Sequence, residues 1–405
     1  MVLPLIRRMQ RDGFISEAHW VSLNQSGPET IEAGGITLHS VTLDKDRLKS
    51  YGVVKETIWR TAHGDQTDAF TAKDIFWGDD YPEFAFYNRL TAELIRELDK
   101  KHDFDIFYIH DFQQLPIGQM LGTLKPKIYR WHIPFDKSMI PAQWTEPLST
   151  YFGSYDVVVV STSKYLESLK SFGYTGRVRK VYPYIDPDDY SLPPQEEVIA
   201  VSNRLGIAEC DDVILIVARM DPFKGHDRAL RALSSIASRY PHLKLVLIGN
   251  GSFSSSKQGL GISKAERWRG ELEALSSKLG IRDRVVFAGH LAQRDLDAMY
   301  ERCKFTILPS INEGFGLVVV ESWLHRKATL VTERAGVTEL IKEGKNGLVI
   351  DPDDTAGVAD KMSLLLDDDE LARRIGEDGY EISKYCLIDE GERAETEVIR
   401  QLVGE

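Results

Sequence analysis

Short apolar segments of strand length alternate with longer amphipathic segments along the chain, and this alternation constrains the fold more than any other feature. The segments 104–110, 156–162 and 213–219 are nearly continuous apolar runs rich in β-branched and aromatic residues. A strand that is apolar at consecutive positions is buried on both faces, which is typical of parallel sheets covered by helices. The sequence therefore predicts an α/β fold throughout.

The length of the chain requires more than one hydrophobic core. Its 405 residues exceed the roughly 250–300 at which a single core stops growing. A proline-rich acidic stretch interrupts the strand series once, so we place an interdomain linker near Pro187–Glu197. We expect an N-terminal domain over residues 1–190, a C-terminal domain over 191–384 and a terminal helix over 385–405.

Charge and composition exclude several kinds of partner. A net charge of -12 argues against nucleic acid, which requires a basic face. The three cysteines are odd in number and form no CxxC pair, so neither a disulfide framework nor a zinc site is indicated, and no metal ligands are predicted. No apolar run approaches the roughly 20 residues that cross a bilayer, so we expect a cytoplasmic protein without a membrane partner. A homodimer is compatible with the sequence.

The first candidate site is a loop between a strand and a helix in the C-terminal half. In VARMDPFKGHDRAL the strand ends at Ala218 and the helix begins near His226, which places Arg219 and Lys224 at the carboxyl end of a parallel strand. Open α/β sheets bind ligands at such ends. Two cations beside a helix N-terminus suit a diphosphate, although a solvated charged turn explains these residues equally well.

The second candidate site is a Gly-Phe-Gly turn between Glu313 and Glu321. Its glycines let backbone N–H groups approach a ligand, and the following helix adds the positive end of its dipole. Glu321 lies about one turn into that helix, within reach of a ribose hydroxyl pair, whereas Glu313 is placed to accept hydrogen bonds from sugar hydroxyls. The residues assigned to donor binding here are Gly314, Phe315, Gly316, Leu317 and Glu321.

Taken together, an Arg-x4-Lys at a strand end and a later Glu-x7-Glu around Gly-Phe-Gly resemble the motifs of retaining GT-B glycosyltransferases of family 4. The resemblance covers most of residues 196–380. It implies two doubly wound, Rossmann-like domains facing across a cleft, a nucleotide-sugar donor and no obligatory cofactor, with Mg²⁺ compatible but not required. It also implies that Arg219 and Lys224 bind the donor diphosphate, while Glu313 binds the donor sugar.

The N-terminal end of the chain departs from the pattern of this family, whereas its C-terminal end is expected to follow it. The first strand and glycine-rich loop of the N-terminal domain are expected to be absent, because residues 1–20 begin directly on an amphipathic helix. The terminal helix is expected to cross back to the N-terminal domain, as the resemblance implies.

Two histidines mark successive strand ends in the N-terminal half. His110 is followed by Asp111, and His132 follows the next strand. A lone histidine is more often structural, but two at neighbouring strand ends favour a site. These segments resemble motifs of trehalose-phosphate synthases and, with PYIDP and ARMDPFKG, those of archaeal trehalose glycosyltransferring synthases. The resemblance implies that His132 contacts the donor sugar in a catalytic role, and that His110, Asp111 and Trp131 form an acceptor pocket.

The expected reaction is transfer of glucose, with retention, from ADP- or UDP-glucose to glucose, which forms trehalose. The partners are then a nucleotide-diphosphate sugar and a small sugar acceptor. Several alternatives remain open: a glucan, a glucose phosphate or glycerate as the acceptor, sugar epimerisation, or nucleotide-sugar binding without catalysis.

Overall fold

The computed structural model forms two compact units. The first comprises Met1–Pro183 together with Ile388–Glu405, and the second comprises Tyr184–Leu387. The boundary therefore falls between Pro183 and Tyr184, and Pro187–Asp189 is a 3-10 helix within the second unit. The residues that the structure describes are 2–65, 72–122, 125–251 and 260–404.

The elements of the described residues follow in chain order. The strands are β1 His19–Leu23, β2 Thr30–Ala33, β3 Ile36–Val41, β4 Phe107–His110, β5 Lys127–Arg130, β6 Val157–Val160, β7 Arg177–Lys180, β8 Asp212–Val217, β9 Leu243–Ile248, β10 Val285–Gly289, β11 Phe305–Leu308, β12 Ala328–Thr332 and β13 Leu348–Ile350. The α-helices are α1 Val2–Arg11, α2 Lys45–Ala62, α3 Tyr81–His102, α4 Ile117–Leu121, α5 Thr145–Phe152, α6 Ser163–Ser171, α7 Gln195–Arg204, α8 His226–Ile236, α9 Leu260–Lys278, α10 Gln293–Arg302, α11 Leu317–Leu324, α12 Thr355–Asp367, α13 Asp369–Ser383 and α14 Ile388–Val403.

The strands of the first unit lie in two sheets. The larger sheet is parallel and keeps the chain order β4-β5-β6-β7. The smaller sheet has the order β1-β3-β2, in which β1 runs parallel to β3 and β2 runs antiparallel to it. The sequence did not predict β2 and β7, because both are largely exposed edge strands without a continuous apolar run.

The second unit is built on one parallel sheet with the order β10-β9-β8-β11-β12-β13. This is the doubly wound arrangement, in which successive strands run outward from the centre in both directions. The side chains of Val213, Ile214, Leu215 and Ile216 are 0% exposed, which places β8 between helix layers on both faces. The α/β fold with buried parallel strands is thus confirmed.

The terminal helix α14 is fixed to the larger sheet of the first unit by a buried polar cluster. Arg130, the last residue of β5, forms an ion pair with Glu395 of α14, and each side chain is 1% exposed. The hydroxyl of Tyr108 in β4 donates to the same carboxylate at 2.6 Å. Because the cluster joins α14 to two strands, the helix belongs structurally to the first unit.

The polar stretch that begins at Gly251, predicted to be a long mobile loop, lies largely outside the described residues.

Within the described ranges, no helix combines the length and the apolar character needed to span a membrane.

The packing of α13 gives a stability prediction. A Cβ at Gly376 in α13 would lie 1.9 Å from the carbonyl oxygen of Arg326, whereas a Cβ at Gly270 in α9 would meet no atom within 4 Å. We therefore expect Gly376→Ala to destabilise the second unit by about 3 kcal/mol, because the backbone must move. The matched change Gly270→Ala should stabilise it by up to about 1 kcal/mol. Urea unfolding followed by circular dichroism measures both, and equal midpoints would contradict the packing.

Candidate active site

The point at which the strand order reverses in the second unit lies between β8 and β11. From β8 the chain moves outward to β9 and β10, and it then returns to β11 on the other side. Open α/β sheets bind ligands outside the carboxyl ends of their strands at this point. The loops that follow β8 and β11, residues 218–225 and 309–316, contain both motifs that the sequence singled out in this half.

These two loops are fixed against each other through their backbones. The N–H of Ile311 donates to the carbonyl of Phe223 at 2.8 Å. Gly225 has a φ of +67°, and a Cβ there would lie 1.9 Å from the carbonyl oxygen of Pro309. Only glycine therefore allows the loop after β8 to close on the loop after β11.

Lys224 and Glu313 form an ion pair between the loops. The Nζ of Lys224 lies 2.6 Å from Oε2 of Glu313, and the Ser310 hydroxyl donates to the same oxygen at 3.1 Å. The two charged side chains are only 13% and 15% exposed. An ammonium has three donors. Lys224 can therefore hold Glu313 and still present positive charge at the carboxyl ends of the central strands.

Arg219 is the second residue beyond β8 and is partly buried. Its carbonyl accepts a hydrogen bond from the N–H of Asp221 at 2.8 Å. The Asp221 carboxylate, which is 1% exposed, accepts from the N–H of Phe223 at 3.1 Å. Asp221 thereby shapes the turn that separates Arg219 from Lys224. Asp221 was not predicted to have a role, although aspartate before proline is a common turn signal.

The Gly-Phe-Gly turn leads directly into α11, as predicted. Gly316 has a φ of +97°, and Leu317 is the first residue of the helix. The Phe315 side chain is 5% exposed, and its carbonyl accepts from the N–H of Val337 at 2.8 Å. Phe315 therefore anchors the turn with its ring, while Gly314 and Gly316 keep the backbone open beside it. The positive end of the α11 dipole lies in the loop that carries Glu313.

Two tyrosines hold Glu321, which lies one turn into α11. The Tyr300 hydroxyl donates to Oε2 of Glu321 at 3.0 Å, and the Tyr190 hydroxyl also bonds this carboxylate. Burial raises the pKa of Glu321 above its ordinary value, and the two hydroxyls act in the opposite direction. Neither tyrosine was predicted, because one precedes α7 and the other lies in α10, outside any motif.

In the first unit, the structure brings His110 and His132 into direct contact. The Nδ1 of His110 lies 3.1 Å from Nε2 of His132, and the rings stack with centroids 5.3 Å apart. Burial, and then the positive charge of Arg130, lowers the pKa of His110 to about 3. The pKa of His132 lies well below its ordinary value. Burial is the largest cause, and the electrostatic effect of the neighbouring His110 is the next. Both imidazoles are therefore neutral at pH 7, and one ring donates to the other.

Asp111 carries the most strained backbone at this strand end. Its φ of 64° and ψ of 168° fall in a region used almost only by glycine, and such strain concentrates at functional sites. One of its carboxylate oxygens accepts from the N–H of His132 at 3.3 Å. Burial raises the pKa of Asp111 to about 7, although the N–H groups of Phe112 and His132 lower it in part. Asp111 is thus suited to gain or lose a proton near neutral pH.

Trp131, which was predicted to line an acceptor pocket, is buried beside this strand end. Its side chain is 2% exposed, and its ring packs edge-on against Phe135 and Phe152. Its indole N–H donates to the carbonyl of Pro134 at 3.4 Å. Trp131 therefore packs in the aromatic core next to the strand end that carries His132.

Two family models match the chain. The family described as glycosyl transferases group 1 matches residues 199–382, which contain both loops of the second unit. A family described as trehalose synthase, N-terminal domain, matches residues 50–167, which contain His110, Asp111 and His132.

Among curated proteins, two D-inositol 3-phosphate glycosyltransferases are similar to this chain. The protein from Acidothermus cellulolyticus is 28% identical over 301 residues, which cover 69% of this chain and 62% of the relative. The protein from Corynebacterium jeikeium is 31% identical over 295 residues, which cover 68% of this chain and 67% of the relative. The chain thus spans about three fifths to two thirds of these relatives.

Among solved structures, a UDP-forming α,α-trehalose-phosphate synthase from Burkholderia xenovorans has the same fold. The TM-score is 0.78, and the alignment covers 98% of this chain and 96% of that chain. The identity is 18%, so this likeness concerns the fold alone.

The raised pKa of Asp111 predicts how stability changes with pH. Its carboxyl has a folded pKa of about 7, whereas an unperturbed aspartate titrates near 3.9. The native state therefore loses stability as pH rises between these values, because only the unfolded state ionises freely. We expect Asp111→Asn to become more stable than the parent protein over this range, by on the order of 3 kcal/mol at about pH 8.

A matched control for this change is Asp136→Asn. Burial raises the pKa of Asp136, but hydrogen bonds from Lys164 and Ser138 outweigh it, and the pKa is lowered overall. Its ionised form therefore stabilises the native state above the unfolded pKa, and Asp136→Asn should be less stable than the parent protein at neutral pH. Thermal unfolding across this pH range measures both variants. A constant difference between Asp111→Asn and the parent protein would contradict the assigned pKa.

Proposed function

We propose a nucleotide-sugar-dependent glucosyl transfer for this chain, which belongs to the group 1 glycosyltransferases and has the α/β fold of GT-B enzymes. The donor in this proposal is ADP- or UDP-glucose, and the product is trehalose, formed from glucose with retention of configuration. The observation that carries the proposal is the meeting of Lys224, Glu313 and the N-terminus of α11 at the reversal point of the sheet.

The donor diphosphate is proposed to bind at the loops after β8 and β11. Departure of a diphosphate from the anomeric carbon leaves negative charge on the leaving group, and stabilising that charge is the main catalytic task. Arg219 and Lys224 supply positive charge in one short loop, and the first turn of α11 supplies its dipole. The name of the solved relative, a UDP-forming enzyme, supports a nucleoside diphosphate as the leaving group.

Carboxylates on both sides of the turn are proposed to bind the hydroxyls of the donor. Glu321, held by Tyr300 and Tyr190, has a fixed orientation, which suits a bidentate contact with the ribose. Glu313 is proposed to bind hydroxyls of the transferred sugar.

The engagement of Glu313 also supports front-face attack by the acceptor hydroxyl. A double displacement requires a carboxylate nucleophile at the anomeric carbon. Glu313 is the one carboxylate within the predicted motifs that could act as this nucleophile. It is held by Lys224 and Ser310. Trapping a covalent glycosyl-enzyme on Glu313 would refute this mechanism.

The first unit is proposed to bind an unphosphorylated sugar acceptor through His110, Asp111 and His132. A phosphorylated acceptor requires cations beside these residues, and the two cations nearest to His132 in sequence are engaged elsewhere. Arg130 pairs with Glu395, and Lys137 donates to the carbonyl of Ser171. The match to a trehalose synthase N-terminal domain over residues 50–167 also supports glucose as the acceptor.

A second candidate function is transfer to a phosphorylated acceptor. The names of the curated relatives and of the solved structure support it, since they refer to D-inositol 3-phosphate and to trehalose phosphate. The identity of the product distinguishes the two candidates.

The proposed donor site predicts that two cationic residues of the second unit differ in their effect on kcat. Replacing Lys224 with Ala should lower kcat with UDP-glucose by about a hundredfold or more, because a preorganised donor to the leaving group is lost. Arg231→Ala removes an exposed cation from the neighbouring helix α8 and should leave kcat unchanged. Steady-state release of the nucleoside diphosphate measures both variants. Equal rates for them would contradict the placement of the diphosphate.

The acceptor is identified by its product. The protein is incubated with ADP- or UDP-glucose and separately with glucose, glucose 6-phosphate, inositol 3-phosphate and a glucan, and the products are determined by NMR. We expect α,α-trehalose from glucose, with both anomeric centres in the α configuration. A product from a phosphorylated acceptor alone would select the second candidate. Donor binding in calorimetry without turnover on any acceptor would indicate a nucleotide-sugar-binding protein.

A further inference from the structure

Three side chains from separate parts of the first unit converge on one point and play no part in the proposed transfer. Glu17 precedes β1, His19 is the first residue of β1, and His102 is the last residue of α3. One ligand atom from each of them lies within 4.8 Å of the other two. Imidazole nitrogens and carboxylate oxygens are standard ligands of Zn²⁺.

The Glu17 carboxylate lies at the centre of this cluster. Its Oε1 is 2.8 Å from Nε2 of His19 and 2.8 Å from Nδ1 of His102. Zinc bonds of roughly 2.0–2.2 Å in a tetrahedron separate their ligand atoms by roughly 3.3 Å. Binding an ion requires the ligand atoms to move apart by about 0.5 Å, and the Glu17 side chain, which is 50% exposed, has room to rotate.

A fourth residue orients His19. The Nδ1 of His19 lies 2.8 Å from Nε2 of His39, and the two rings stack with an interplanar angle of 9°. His19 pairs with Thr37 between β1 and β3, so His39, two residues further along β3, lies on the same face. Metal-binding histidines generally donate their second ring N–H to a fixed acceptor, which sets the tautomer. A metal at Nε2 leaves the His19 proton on Nδ1, where it donates to His39.

The surroundings favour a cation. The His19 side chain is 6% exposed and that of His102 is 30% exposed. The ring of Phe104 lies 5.0 Å from the ring of His19 and 5.6 Å from that of His102. His102 also ends a helix of 22 residues, whose negative dipole end stabilises positive charge. The Glu17 carboxylate and the carboxyl end of α3 therefore favour a cation beside the two imidazoles, whereas Lys101 contributes positive charge nearby.

We propose that Glu17, His19 and His102 bind a divalent transition metal, in the first instance Zn²⁺, with a fourth position left to water. Because the ligands come from the segment before β1, from β1 itself and from α3, the ion joins the smaller sheet of the first unit to this helix. It therefore stabilises the folded state. The sequence predicted no metal ligands, since His102 lies far from Glu17 and His19 and the three residues form no spacing motif.

The test uses the full chain, purified without a histidine tag and stripped with a chelator. We expect calorimetry to show one equivalent of bound Zn²⁺, and the Tm to rise with the concentration of free Zn²⁺. Glu17→Gln and His102→Ala should each weaken binding by about tenfold or more and remove the rise in Tm. The exposed His290, changed to Ala, is the matched control and should retain both effects.

A second cluster of possible metal ligands must be removed for this result to be unambiguous. Cys210, Asp211 and His242 also place ligand atoms close together, in the second unit. All proteins in the test therefore carry Cys210→Ser, and Co²⁺ replaces Zn²⁺ in a spectroscopic measurement. We expect d–d bands that disappear in Glu17→Gln and His102→Ala. Zn²⁺ binding that is equal in these variants and in His290→Ala, or no binding by the parent protein, would overturn the proposal. None of these readouts depends on transferase activity.

Discussion

The buried ion pair between Arg130 and Glu395 connects the fold of the first unit with its candidate site. Taking two charges out of water costs several kcal/mol per ion unless further hydrogen bonds satisfy them. The Tyr108 hydroxyl provides one such bond to the carboxylate, and the carbonyl of Val181 accepts another from Arg130 at 3.2 Å. The pair therefore fixes α14 against β4 and β5. The same guanidinium contributes to the low pKa of His110, so the packing of the last helix bears on the charge of the candidate site.

In the second unit, the corresponding constraint is the reversal of strand order between β8 and β11. Neighbouring parallel strands place their carboxyl ends at one edge, so two loops that are distant in sequence meet there. Gly225 approaches the carbonyl of Pro309 so closely that no Cβ fits between the two loops. The contact between Lys224 and Glu313 follows from the topology and needs no further element to position it.

The parts of the structure that the sequence predicted are those with a strong local signal. Continuous apolar runs predicted the buried strands, such as β8 and β11, and the Gly-Phe-Gly turn predicted where α11 begins. Exposed edge strands carry no such signal, and β2 and β7 were missed for that reason. The partners of Glu321 and the cluster around Glu17 arise from tertiary packing between distant segments, which no spacing rule reveals. The sequence could not tell whether Trp131 lines a pocket or packs in a core, because an aromatic residue beside a site histidine has the same sequence pattern in both.

The two candidate sites differ in how far their charged groups and backbone are stabilised by the surrounding structure. In the second unit, charges are matched: Lys224 faces Glu313, and tyrosine hydroxyls satisfy Glu321. In the first unit, Asp111 combines a backbone conformation suited to glycine with a carboxyl that resists ionisation. Such features cost stability and persist only where the surrounding structure overdetermines them. The aromatic core around Trp131 packs beside the neighbouring strand end, and the N–H of His132 at that end donates to the Asp111 carboxylate, so the strained residue is held from the adjacent strand.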